Sequence, residues 1–305
     1  MHAIAQRGPD RVVFAIGLML CAYFLFSGVD ASVKWLSAVG FAAVQLAFMR
    51  YAGHAVLSLA VVVRHGQRAV HVAPSERALV VLRALCILAS TVLNFIAIRY
   101  LPLTLTATIM FTVPLIVCAL SGPVLGERVG PWRWGAVAVG FVGVLIAMRP
   151  FSAQFHWAMV LSLATALSFA GYTLLTRKLA GRVSPEAQQL YTGLLGVLAL
   201  GPVTLSVWQS PDNGLDWALL LGVGGLAWVG HEIMTRAHAH APASVLSPFL
   251  YSLLPFMGFW SYTVFGHVPD VATLVGAGTV IAAGLVIWAR ERRRSAAVPD
   301  SRPLG

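Results

Sequence analysis

Charge is what this sequence has least of. Only 10% of its 305 residues are Asp, Glu, Lys or Arg, against about a quarter in a soluble globular domain. With 58% hydrophobic residues and a mean hydropathy of +0.80, the chain cannot present a wet surface all round. The bilayer is therefore its expected solvent. Acidic residues are the scarcer sign, 11 against 21 basic ones, for a net charge of +10. In a soluble chain that excess would suggest nucleic acid. Here the basic residues lie between apolar runs, so the positive-inside rule accounts for them and no nucleic-acid partner is expected. Cysteine is nearly absent: Cys21, Cys86 and Cys118 all fall inside apolar runs, and none stands in a CxxC pair. They read as small buried residues rather than a disulfide framework or metal site. Neither HExxH nor DDxxD occurs, so the competing class, a membrane-embedded enzyme, lacks clustered catalytic groups. Nothing resembles the selectivity-filter ring of a channel. The first apolar run has no clean small-x-small cleavage site and many runs follow it, so it reads as a span and not a signal peptide.

What remains is apolar sequence in lengths that suit a membrane. A helix rises 1.5 Å per residue and needs roughly 20 apolar residues to cross the hydrocarbon. Ten candidate spans result: 12–30, 39–63, 78–98, 102–121, 132–148, 156–176, 187–208, 216–235, 242–264 and 271–289. The tail from Arg290 is polar and expected to fray. With the N-terminus in the cytoplasm, Arg7, Arg11, Arg64, Arg68, Arg77, Arg83, Arg128, Arg133, Arg177, Lys178, Arg182, Arg236 and Arg290 fall inside. Only Lys34, Arg99 and Arg149 fall outside. That bias predicts both termini in the cytoplasm.

The stretch from Leu101 to Met148 is written twice. About 140 positions on, Pro102 lands on Pro242, Thr104 on Ser244, Thr112 on Ser252 and Gly126-Glu127 on Gly266-His267; Pro114 and Pro255 match after a one-residue slip. Each copy is an apolar helix, a Gly-containing hairpin and a Gly-rich apolar helix. Five spans per copy turn the second upside down, an inverted 5+5 repeat. Such a repeat places a substrate site near the midplane where the halves meet.

Polar groups inside spans are costly, so they are the sharpest pointers to function. Arg50 sits near the middle of the second span with His54 one turn on, either to hold an anion or as a structural arginine. Asp30 and Lys34, four apart at the end of the first span, read as an ion pair, or alternatively as a gate. His231 and Glu232 lie deep in the eighth span, placed to relay protons or hold a cation, while Glu232 and Arg236 are spaced to pair. Followed by His238 and His240, they make HE-x5-H-x-H, which lacks the spacing of a helical metal site. No metal or cofactor is expected. Asn94, Gln188, Gln189 and Tyr191 need partners. Thr104, Thr108 and Thr112 stripe the fourth span beside Pro114, either lining a cavity or packing helices. Tyr172 and Tyr251 are the aromatics best placed for a cavity wall. Gly135, Gly140, Gly143, Gly276, Gly278 and Gly284 suit close packing of the fifth and tenth spans.

SGVDASVKWL after the first span, QLAFMR in the second, LPLTLTATIMFTVPL in the fourth and GERVGPWRWGAVAVGFVGVLIAMRP thereafter resemble the drug/metabolite transporter superfamily, in its EamA branch. The resemblance covers two units, 10–149 and 156–290, with 291–305 a cytoplasmic tail. It departs at Gly266-His267, where the second unit would ordinarily carry Gly-Glu. It implies an all-α polytopic protein of the bacterial inner membrane, monomer or homodimer. It also implies alternating access to a cavity lined mainly by spans other than the fifth and tenth. The substrate class implied is a small polar metabolite. The leading expectation is export of an amino acid or amino-acid-derived zwitterion such as a metallophore, from the cation Arg50 and the anion Glu232. The alternative is uptake of riboflavin or S-adenosylmethionine. Protons are the candidate coupling ion.

Overall fold

The computed structural model describes residues 9–65, 70–126, 130–240 and 246–297, and among these the regular elements are helices. Pro242, Ser244, Glu127, Arg128, Arg7 and Arg68 lie outside the described residues. The first three spans are α1 (Pro9–Ala38), α2 (Ala43–His65) and α3 (Pro74–Tyr100). The fourth is split into α4 (Leu103–Met110) and α5 (Val113–Leu125), and the fifth is α6 (Pro131–Met148). Then come α7 (Ala158–Leu179), α8 (Pro185–Ser206) and α9 (Gly214–His240). The ninth span is a 3₁₀ segment (Ser247–Ser252) running into α10 (Leu253–Thr263), and the tenth is α11 (Val271–Ala297). Among the described residues, eight helices are long and apolar enough to cross a membrane, counting the fourth span as one. With the shorter α6 and the broken ninth span, the crossings number ten.

Three expectations change. The first span is longer than its apolar core, reaching Ala38, because Lys34 finds buried partners instead of ending the helix. The tail does not fray at Arg290, since α11 stays helical to Ala297. The fourth and ninth spans are not continuous. Proline clashes with the carbonyl four residues earlier and lacks an N–H. Pro114 therefore ends α4 at Met110, and Pro255 lies four residues beyond Tyr251, in the 3₁₀ stretch. The same break recurs at equivalent places in the two copies. So does the turn after it: Gly126 and Gly266 both take left-handed backbone, φ +74° and +66°, which a side chain would disfavour.

Helix packing follows a simple exchange. Replace each span by the one five further on, or back, and the principal contacts map onto one another. The α1–α9 pair becomes α7–α3, and α2–α9 becomes α8–α3. The pairs α2–α8 and α6–α11 map onto themselves. Small residues let the backbones approach. A Cβ on Gly53 would meet the Gly224 backbone at 2.9 Å, and one on Gly193 would meet Ala55 at 2.8 Å. At the α6–α11 crossing, a Cβ on Gly143 would meet the Gly276 carbonyl at 2.9 Å. The result is a bundle of α1, α2, α3, α7, α8 and α9 around a central space, with α6 and α11 paired to one side. The end opposite the termini is filled by Leu36, Phe41, Phe95, Ile98, Leu103 and Leu220.

Candidate functional site

The central space is a narrow, partly open cavity lined by Arg50, Tyr51, His54, Ile87, Tyr172, Gln189, Thr192 and His231. These come from α2, α3, α7, α8 and α9, so both halves of the chain contribute. Arg50 and His54 lie seven and eleven residues into α2, about 10 and 16 Å along its axis. That is near the middle of a hydrocarbon core roughly 30 Å thick.

Arg50 is poised rather than paired. Its guanidinium lies 5.9 Å from the centre of the Phe95 ring and makes no hydrogen bond among the described residues. Asp30 lies within its electrostatic reach but not in ion-pair contact, and accepts a hydrogen bond from Asn94 Nδ2 at 3.1 Å. His54 is 6% exposed, and its Nε2 has no hydrogen-bond partner among the described residues. Its ring meets that of His231 edge to face at 6.2 Å, and His231 in turn lies 4.9 Å from Phe26.

Arg83 lies behind the cavity wall, bonded to two of its lining residues, Thr192 and Tyr172. It is 3% exposed. Nε donates to Thr176 Oγ1 at 2.7 Å, Nη1 to Thr192 Oγ1 at 2.9 Å and to the Gln188 carbonyl at 3.2 Å, and Nη2 to Tyr172 Oη at 3.1 Å. The guanidinium also lies 4.5 Å from the centre of the Tyr172 ring. One arginine of α3 thus ties α7 to α8. It was counted with the basic residues at the cytoplasmic ends because α3 was expected to begin at 78. The true start, Pro74, sets Arg83 nine residues deep. The signal that would have found it is a polar stripe at helical spacing on α3: Arg83, Ser90 and Asn94.

Of the residues anticipated from sequence, Arg50, His54, Tyr172 and His231 converge on the cavity. Asn94 and Asp30 pair beside it. Others do not converge. Asp30 and Lys34 are not an ion pair: Lys34 Nζ donates to the carbonyls of Ile98 at 3.0 Å and Leu101 at 2.7 Å, where α3 ends and leaves carbonyls unmet. Glu232 leaves the wall and pairs with Arg236 at 2.9 Å, with 41% of its side chain exposed. Neighbours on a helix diverge by about 100°, so His231 and Glu232 cannot both face one cavity. Tyr191, two positions and about 200° round the helix from Gln189, packs instead with Val72, Val80 and Leu179. Thr108 is fully buried and donates to the Thr104 carbonyl at 2.8 Å, and Thr112 donates to Ile109 at 2.7 Å. The stripe satisfies its own helix beside the proline break rather than lining the cavity. Tyr251 stacks edge to face on Phe111 at 5.1 Å, with its hydroxyl in the space a Cβ on Gly284 would take. Of the glycines expected to pack closely, Gly135 and Gly278 meet nothing within 4 Å. Among the described residues no group of three or more His, Cys, Asp and Glu could hold a metal ion.

A ten-span bundle enclosing a mid-depth polar cavity built from both halves of the chain is the architecture of a membrane transporter of small metabolites. The family model described as the EamA-like transporter family matches residues 13–149 and again 156–289. The chain belongs to that family, within the drug/metabolite transporter superfamily. It is 30% identical to a riboflavin transporter of Rhizobium johnstonii, over 94% of each chain. It is 24% identical to an S-adenosylmethionine uptake transporter of Rickettsia felis, over 91% of this chain and 93% of that one. It is 26% identical to a pseudopaline exporter of Pseudomonas aeruginosa, over 91% and 97%. A solved crystal structure shares the fold with TM-score 0.59 at 14% identity, covering 94% of this chain and 99% of the other.

Proposed function

We propose that the protein imports a flat, polar heteroaromatic vitamin or cofactor of the riboflavin type across the bacterial inner membrane. The carrying observation is the make-up of the cavity: the rings of His54, His231 and Tyr172 together with the polar groups of Arg50, Gln189 and Thr192. Rings offer faces for stacking, and the polar groups orient what is stacked. The similarity to a riboflavin transporter over nearly the whole chain supports the same substrate class. In this reading, units 10–149 and 156–290 are the inverted halves, both termini are cytoplasmic, and the halves rock about the cavity with protons as the coupling ion. The protein performs no chemistry on its substrate.

A second reading, export of an amino-acid-derived zwitterion, is favoured by one observation: the cation Arg50 and the anion Asp30 stand near each other without pairing. It moves the anion from Glu232, which is occupied by Arg236, to Asp30. The two readings separate in a riboflavin auxotroph lacking its own importer. Growth at limiting riboflavin and accumulation of labelled riboflavin on expression support uptake. No accumulation, with a new amino-acid-derived metabolite in the medium, supports export.

A further inference from the structure

We infer that Lys34 and Lys178 are equivalent latches at opposite ends of the cavity. Each closes its own end of the bundle by reaching the last carbonyls of a neighbouring helix, and only the Lys34 latch is shut in this structure. This rests on the inverted halves and alternating access of the proposed function, and not on the substrate named there.

The exchange of each span with the one five away holds for the principal helix pairs and fails around one helix of each half. α1 packs on α3, whereas their counterparts α7 and α9 scarcely meet among the described residues. α2 packs on α3, whereas α8 and α9 scarcely meet. The third span is drawn in against its own half, and the eighth is not. Two copies of one unit in two arrangements are what a bundle that opens to each side in turn shows when one end is shut and the other is not.

The shut end is the one opposite the termini. There Asn94 Nδ2 donates to Asp30 at 3.1 Å, and Lys34 Nζ donates to the Ile98 and Leu101 carbonyls at 3.0 and 2.7 Å. The Phe265 ring, just past α10, is centred 5.4 Å from the same ammonium. Lys34 therefore joins the first, third and ninth spans. Tyr172, Gln189, Thr192 and His231, on the cavity wall, lie in the halves of their helices nearer the termini.

Ser32-Val33-Lys34-Trp35 in α1 matches Thr176-Arg177-Lys178-Leu179 at the end of α7, which sets Lys178 at the place of Lys34 in the second copy. The two side chains differ as the two ends do: Lys34 is 8% exposed, and Lys178 is exposed. When the other end shuts, Lys178 does for the end of α9 what Lys34 does for the end of α3. Lysine suits a latch. The last carbonyls of a helix have no partner within it and carry partial negative charge. An ammonium buried against them gains that attraction but loses its hydration, and the two largely offset. The end is held shut, yet opening returns both groups to water.

The test is thiol labelling. In a background without Cys21, Cys86 and Cys118, Ile87→Cys puts a thiol on the cavity wall. Its labelling rate with the impermeant 2-sulfonatoethyl methanethiosulfonate is measured in membrane vesicles of each orientation. No substrate is needed, so failure of riboflavin uptake in the auxotroph leaves this readout standing. The parent is expected to label faster from the face bearing the termini. Lys34→Ala leaves two carbonyls with only water to meet them. It should raise labelling from the opposite face at least about threefold, the weight of one ordinary hydrogen bond. Lys178→Ala, at an exposed position, should fold normally and lower labelling from that opposite face by a similar factor. The double variant should return towards the parent, because the two lysines act in opposite senses on one equilibrium. Faster labelling of the parent from the face opposite the termini overturns the inference. So does unchanged labelling from that face in either single variant, or a double variant that behaves as Lys34→Ala alone. If Lys34→Ala does not fold, Lys178→Ala decides by itself.

Discussion

At the scale of single residues, Arg50 in the cavity and Arg83 behind its wall differ in what surrounds them. Arg50 lines the cavity and makes no hydrogen bond among the described residues, whereas Arg83 is enclosed and bonded to three side-chain hydroxyls and a carbonyl. Arg83 therefore ties α3 to α7 and α8. Arg83→Gln should lower the melting temperature, with about 2 kcal/mol lost for donors to hydroxyls left unpaired in a buried setting. Arg83→Lys should not restore it, because an ammonium cannot reproduce the planar fork that reaches Thr176, Thr192 and Tyr172 together. Detergent-solubilised melting curves of the two variants check this; full rescue by lysine would mean that charge alone matters there. Much of this site was legible beforehand. Arg50, His54, His231 and Tyr172 stand out because titratable or hydroxylated groups deep in a span demand a reason. Arg83 did not stand out, since a basic residue near a helix start usually serves topology. Glu232 misled because adjacency in sequence is not adjacency on a helix face.

At the scale of elements, the α6–α11 pair is held by backbone contact and by one terminal ion pair. Gly276 approaches so closely that an added Cβ would meet the Gly143 carbonyl at 2.6 Å, while Gly278, two residues on, has nothing within 4 Å. Gly276→Val should destabilise by about 1–3 kcal/mol through forced separation of the helices, and Gly278→Ala should be neutral or slightly stabilising. The contrast between the two, measured by thermal unfolding, isolates packing from helix propensity. At the end of the pair, Arg149 Nη2 meets Asp270 Oδ2 at 2.6 Å, and Asp270 Oδ1 accepts from the Thr273 N–H at 2.7 Å, capping α11. Partial burial would raise the Asp270 carboxyl, but hydrogen bonds from Thr273 and the charge of Arg149 outweigh it and hold the group below its ordinary 3.8. A carboxyl depressed in the folded state stabilises above its unfolded value and loses that contribution as pH falls through the folded one. Asp270→Asn should thus cost stability at neutral pH, and the difference from wild type should close only below about pH 4. A gap that closes between pH 5 and 7 would point to a different group. Such terminal caps are visible as residue types in the sequence, but the partner across the bundle is not.

At the scale of the whole molecule, the exchange of each span with the one five away predicts opposite sidedness for equivalent hairpins. In a background without Cys21, Cys86 and Cys118, a cysteine at His267 should react with an impermeant reagent applied outside intact cells. One at Gly130 should react only after the membrane is opened. Reaction of both from the same side would remove the inverted arrangement and the cavity between its halves. The sequence by itself determined the solvent, the number of crossings and the duplication. Hydropathy, length and the Pro…Gly spacing are local quantities, and each acts within a single span or hairpin. It also marked the places where a span must break, since a proline disrupts its own helix wherever that helix lies. Only the tertiary structure decided which polar groups share the cavity. That depends on rotation about each helix axis and on which helices cross closely enough to touch, and both are set by small-residue contacts between spans far apart in the chain. Asp30 finds Asn94, and Lys34 the end of α3, through just such packing.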